Sequence, residues 1–193
     1  QAGWLGVSPS ILPRSGGHRS MVRSNIFQVV EKRSRGSMTQ HSYTAELHAH
    51  HSLIKRLQLH RVLDEHQGCV NRLAWNESGS RLASVSDDCN CLIWDAAQGK
   101  VAHTIATGHT RNIFGVAFLP ETGDRSLVTG AMDCELRVHT IKEDGNAVTR
   151  VLRCHADRVK DVKTEPGNPH MFWSASEDGT IRQIDLRVTP GGV

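Results

Sequence analysis

The sequence predicts an all-β fold, a partial β-propeller of about three blades preceded by a short N-terminal helix or disordered arm. Three observations predict it. A polar and apolar pattern recurs at a spacing of 45 residues from His66 onward. Each recurrence opens on a histidine. Within each, short apolar runs or alternating apolar residues are bounded by turn residues, the mark of β-strands rather than helices.

Taken in chain order, residues 1–20 carry Ser and Arg and no acid, and the chain opens on Gln1 rather than Met. They are expected to be a non-native or disordered leader, with Met21 as the start of the organised chain; the composition also resembles a transit peptide. Residues 21–60 are expected to hold a helix and a linker. The helix runs over Asn25–Arg35, capped by Ser24 or Asn25 and ended by Gly36, with its basic residues near the C-terminal end where they complement the dipole. Ile26, Val29 and Val30 fall at helical spacing and form one apolar stripe beside Arg33. So short a helix is marginal alone and needs a groove, either in a partner or on its own propeller, and a disordered tail is the alternative. The run His48-Ala-His50-His51 could bind a metal but is assigned to the linker, not to a metal site.

The repeats fill residues 61–193, at about 66–106, 109–153 and 155–187. Leu82 to Asp95, Leu127 to Thr140 and Phe172 to Asp185 align without a gap. That alignment stacks Ser84, Thr129 and Ser174, and likewise Asp88, Asp133 and Asp178. His66, His109 and His155 precede the aligned hydroxyl by 18, 20 and 19 residues, the variation expected of an adjustable turn. In the first repeat, strands are expected at Cys69–Trp75, Arg81–Val85, Cys91–Trp94 and Lys100–Ala106, separated by Asn76–Gly79, Asp87–Asn90 and Ala96–Gly99. Four short strands per repeat make one blade.

Such a unit resembles a WD40 repeat, and Trp94-Asp95 is the dipeptide behind that name. The resemblance implies a hydrogen-bonded chain of His66, Ser84, Asp88 and Trp94 that pins each blade, since a buried His and Asp are tolerable only when mutually satisfied. A catalytic triad would draw on the same residue types. A nucleophile site, however, occurs once, and this set recurs with the blade period. His139 and Ile184 replace the Trp in the second and third repeats, so those networks are expected to be shorter and those blades less rigid.

The stretches Leu53–Leu59, Gly68–Asn71, Ala74–Glu77, Thr107–Phe114, Phe118–Pro120 and Phe172–Arg187 are similar to the WD and tetratricopeptide repeat (adipose) family. That resemblance implies a substrate receptor of cullin-4 RING ubiquitin ligases, recruited to the ligase through the damaged-DNA-binding adaptor and presenting an unknown protein substrate. Receptors of this kind carry the pattern WDxR. Asp185-Leu186-Arg187 matches it, with Ile184 for the Trp, whereas Ala96-Ala97 and Ile141-Lys142 stand where the first two repeats would carry it. A forked guanidinium at a blade edge suits a partner's carbonyls or carboxylates, and a solvated Arg is the other reading. The resemblance also implies that the 25–35 helix, through Ile26, Val29, Val30 and Arg33, docks into the adaptor. A WD40 scaffold with no ligase link, regulating chromatin or metabolism, is the alternative.

Composition narrows the remaining classes. Residues 1–65 hold nine Lys or Arg against four acids, and the rest fourteen against sixteen. With one Tyr, Tyr43, and acidic blades, direct nucleic-acid binding is not expected. Five cysteines without a CxxC pair argue against a disulfide framework and a zinc site, and point to the cytoplasm or nucleus. No apolar run is long enough for a membrane helix. No phosphate loop, metal cluster or singular nucleophile suggests an enzyme or a cofactor. Three blades do not close a ring, so the chain is read as a fragment with marginal stability and a tendency to associate.

Overall fold

The computed structural model describes residues 26–48 and 54–188. The leader expected at residues 1–20 and part of the histidine run lie outside them. Two units separate at His60 and Arg61.

The first unit holds α1 (Ile26–Ser34) and α2 (Gln40–His48), which lie against each other. Lys32 and Arg33 sit in the last turn of α1. Gly36 ends the helix with φ of 69°: its N–H bonds the Arg33 carbonyl while the Ser37 N–H bonds that of Lys32, which satisfies carbonyls the helix leaves free. Thr39 starts α2 by accepting the Ser42 N–H at its hydroxyl. This second helix stands in the segment the sequence reading assigns to linker. Its weak amphipathicity and its His, Ser, Tyr and Thr residues give periodicity nothing to detect.

The second unit is built of antiparallel sheets. β1 (Val70–Trp75), β2 (Arg81–Ser86), β3 (Asn90–Asp95) and β4 (Lys100–Ala106) form the first in sequence order. β5 (Ile113–Phe118), β6 (Ser126–Ala131), β7 (Leu136–Ile141) and β8 (Ala147–Leu152) form the second. β9 (Val159–Thr164), β10 (Met171–Ser176) and β11 (Ile181–Asp185) form a third sheet of three strands. These are mostly β, partial-propeller blades, as expected, except that the last has no fourth strand among the described residues.

Adjacent blades meet through their first strands. β5 lies against β1 and β2, and β9 against β5 and β6. Ala83, Val85, Cys91, Ile93 and Ile105 of the first blade share one buried cluster with Ile113, Val116, Phe118 and Leu127 of the second. Val128, Leu136, Val138 and Leu152 share another with Val159, Val162 and Phe172 of the third. Gly115 and Gly130 permit the second junction: a methyl group at Gly115 would lie 3.1 Å from the Val162 backbone nitrogen, and one at Gly130 2.6 Å from Val159 Cγ1. Across the first strands, Arg72 of β1 pairs with Asp161 of β9.

Candidate functional site

The recurring polar residues meet inside each blade. In the first, His66 donates from Nδ1 to Asp88 at 2.8 Å, and its Nε2 accepts from the Ser84 hydroxyl at 2.7 Å. Ser84 in turn accepts the indole N–H of Trp94 at 2.8 Å. Asp88 also accepts the backbone N–H groups of Gln67 and Asn90. One carboxylate therefore ties the start of the repeat to the turn between β2 and β3. Burial alone would raise the Asp88 pKa, but the hydrogen bonds from the Asn90 N–H, His66 and the Gln67 N–H outweigh it and hold the group below its ordinary value.

The second blade repeats the pattern and extends it. His109 donates to Asp133 at 2.9 Å and accepts from the Thr129 hydroxyl at 2.9 Å. His139 stands where the first blade has Trp94. Its Nε2–H donates to Thr129 at 2.9 Å, and its Nδ1 accepts from the Thr149 hydroxyl on β8 at 2.9 Å. The expectation of a shorter network here is corrected: a second imidazole supplies the donor the indole would have supplied, and its other nitrogen adds a link to the fourth strand. Burial, with His109 and Arg137 nearby, depresses the His139 pKa to about 3. Burial likewise lowers that of His109, although Asp133 opposes the shift.

In the third blade His155 bridges Asp178 and Ser174, both at 2.8 Å. Ile184 has no donor, so the side-chain chain stops at Ser174. Thr180 joins it from the turn, its hydroxyl donating to Asp178 at 2.6 Å. Asp178 is held well below the usual carboxylate range, chiefly by that hydroxyl.

His109, Asp133 and Glu135 bring ligand atoms within 4.8 Å of one another. Each is already engaged: Glu135 by Arg137 and Arg153, Asp133 by His109 and the N–H groups of Thr110 and Glu135. The donor set is that of a satisfied structural network.

Asp185 and Arg187 stand apart from these networks, at the end of β11. The Arg187 guanidinium grips the Asp185 carboxylate from two nitrogens, Nε at 2.9 Å and Nη2 at 2.6 Å, and the Arg187 backbone N–H adds a third bond at 3.0 Å. That grip pulls Asp185 down to about 2 and raises Arg187. The pair is open to solvent, the Arg187 side chain 61% exposed. Arg150 of the second blade holds the turn from beneath, donating to the carbonyls of Leu186 and Val188. Sequence reading missed this brace, because no local pattern links an Arg on β8 to carbonyls 36 and 38 residues on.

The α1 stripe divides. Val29 is fully buried and Val30 is half exposed, while the Ile26 side chain lies outside the described residues. Arg33 donates to the Met38 carbonyl at 3.0 Å. Burial of Val29 is in keeping with a stripe that needs a groove, and Val30 is the part of it that faces solvent.

Two family profiles match this chain: the WD40 domain of anaphase-promoting complex subunit 4 over residues 45–121 and the WD domain, G-beta repeat, over residues 146–185. The chain is built of WD40 repeats. These repeats are similar to those of Protein ALTERED SEED GERMINATION 2 from Arabidopsis thaliana, 46% identical over 84% of this chain and 22% of that protein. They are similar also to human WD and tetratricopeptide repeats protein 1, 44% identical over 88% of this chain and 23% of that protein. Human DDB1- and CUL4-associated factor 6 is 34% identical over 82% of this chain and 19% of its own length. The chain thus spans about a fifth of the relatives it matches. Among the described residues no helix is long and apolar enough to cross a membrane. WD40 repeats make interaction scaffolds, and the recurring His, Ser or Thr and Asp sets serve the blades.

Proposed function

We propose that this WD40 scaffold is a substrate-receptor module of a cullin-4 RING ubiquitin ligase, without catalysis of its own. The observation that carries the reading is the solvent-open Asp185–Arg187 clasp at the end of β11, backed by Arg150. A partner acceptor entering there meets a guanidinium already fixed in direction, so little side-chain entropy is lost on docking. The similarity to a protein named as a DDB1- and CUL4-associated factor supports the same adaptor for this chain. The exposed part of α1, Val30 with its neighbours, is a second contact, and the blades present the protein substrate. Such a subunit works in the cytoplasm or the nucleus.

The test is co-precipitation of the adaptor by this chain, unmodified and as Arg187→Glu. The expected result is binding that falls at least tenfold on charge reversal. Because Arg187 is exposed, the variant should keep its thermal midpoint. Absence of binding by the folded unmodified chain would leave a WD40 scaffold outside the ligase. Binding untouched by the substitution would remove the clasp from the contact.

A further inference from the structure

Between the first two blades lies a cleft of about 290 Å³, at the lower limit of the roughly 300–1,000 Å³ of small-molecule sites and wide enough for one side chain. Both of its walls belong to four-stranded blades, so its shape does not depend on what adjoins the outer faces of the array. Arg81, at the start of β2, and His103, on β4, form the first wall. The β5–β6 turn with Asp124 and Arg125, and the β7–β8 turn with Lys142 and Glu143, form the second. Ile93 and Ile141 line the floor, 2% and 6% exposed.

The walls are pinned to each other. The buried Asn76 accepts the Arg81 N–H at its side-chain oxygen at 2.9 Å. Its amide nitrogen reaches across the junction and donates to Asp124 at 2.7 Å. Within the second wall, the Ile141 N–H donates to the Arg125 carbonyl at 2.8 Å and ties the two turns together. A ligand entering here finds a site already shaped, so less ordering opposes its binding.

Positive charge is left over in this cleft. Among the described residues, Arg81, His103 and Lys142 have no ion-pair partner, and Arg125 reaches only Glu143, at 3.6 Å. Three permanent cations, Arg81, Arg125 and Lys142, face two carboxylates, Asp124 and Glu143, and Asp124 is already engaged by Asn76. One monoanion restores neutrality, whereas a phosphate dianion overshoots it. An apolar floor beneath a cationic rim suits a group with a methylene stem and a terminal carboxylate. The stem would lie on Ile93 and Ile141, and the carboxylate would meet the guanidinium fork of Arg81 and the ammonium of Lys142.

We propose that this cleft binds a glutamate side chain presented by an acidic segment of a partner protein. A single side chain makes too little contact to be held as a free molecule, and a protein segment adds the contacts that flank it. Lys142 stands in the second repeat where Arg187 stands in the third, so the cleft opens on the same edge of the array as the Asp185–Arg187 clasp. The assignment does not rest on the ligase reading, and its test contains no adaptor.

The test is a titration of the 15N-labelled 193-residue chain with N-acetylated, C-amidated Gly-Glu-Gly, followed by amide chemical shifts. The expected result is a set of shifts confined to Arg81, His103, Arg125, Lys142 and their neighbours, with a dissociation constant on the order of millimolar. The uncharged isostere Gly-Gln-Gly should leave the same amides in place. Arg81→Gln and Lys142→Gln remove side chains without an ion-pair partner, so each should keep the thermal midpoint and weaken binding about fivefold, the effect of one partly exposed ion pair. Arg81→Lys, which keeps the charge, should restore part of the loss. Absence of these shifts, equal shifts with Gly-Gln-Gly, inorganic phosphate binding as tightly as the tripeptide, or binding that survives both glutamine substitutions would each overturn the assignment.

Discussion

His139 shows how one residue reshapes a repeated network. At that position an indole offers a single donor, whereas a neutral imidazole offers a donor and an acceptor in opposite directions. The second blade therefore gains a bond to Thr149 that the first blade lacks. The arrangement holds only while the ring is neutral. Its pKa in the folded protein is about 3 against an ordinary value of 6.5, so below about pH 6.5 the unfolded chain takes a proton that the folded chain refuses. Stability is full above that value and declines as pH falls through the window from 6.5 to 3, by up to about 1.4 kcal/mol per unit. The shift of His109 has the same sign. The depressed carboxylates Asp88, Asp133 and Asp178 act only lower, below the ordinary carboxylate value of 3.8. We expect urea midpoints to drop between pH 7.5 and 5.0. In His139→Gln, whose amide donates and accepts along the same lines without titrating, the drop should be visibly smaller. An unchanged pH profile would show that His139 does not set it.

At the scale of elements, strand positions were legible and turn chemistry only partly so. The four strands expected in the first blade lie within one or two residues of β1 to β4, because period-two apolar residues between Gly, Asn and Asp turns leave the chain few other choices. Helix α1 and its glycine terminus were legible from the same kind of local signal. α2 was not, since it has no apolar stripe. Nor did the sequence declare that Cys89 and Cys134 occupy left-handed backbone, with φ of 63° and 67°, where the third blade carries Gly179 at 80°. A side chain costs roughly 1–2 kcal/mol in that conformation, and Cys134 has only a long sulfur contact to the Met132 carbonyl in return. Cys134→Gly should therefore stabilise the protein by about 0.5–1 kcal/mol once the greater freedom of glycine in the unfolded chain is offset. Chemical denaturation of the pair measures it, and a loss of stability would mean that the thiol does more in that turn than its visible contact.

Across the whole repeat array, stability resides at the junctions between blades, and these are close-packed. Val159 and Leu136 are both fully buried beside Gly130, and a methyl group there would fall within contact distance of both. Gly130→Ala should cost about 1–3 kcal/mol through overpacking. Combining it with Val159→Ala should recover part of that loss, a coupling that a double-mutant cycle reports. Additive effects would place the strain elsewhere than at the junction. Trp75 and Trp173 are exposed, whereas Phe118, at the position in the second blade matching Trp75, and Ala83 and Val128, at those matching Trp173, are buried.

By itself, the sequence determined the repeat, its period, the strands and the sets His66–Ser84–Asp88–Trp94, His109–Thr129–Asp133 and His155–Ser174–Asp178. All of these are local or recur at a fixed spacing, so they leave a periodic trace in one dimension. Tertiary structure alone decided the rest. It bonded His139 to two threonines, buried Val29, set Arg72 against Asp161, and braced the Asp185–Arg187 turn with Arg150. Each of these joins groups whose distance along the chain carries no information about their distance in space. A hydrogen bond or a packed methyl group depends on that second distance only.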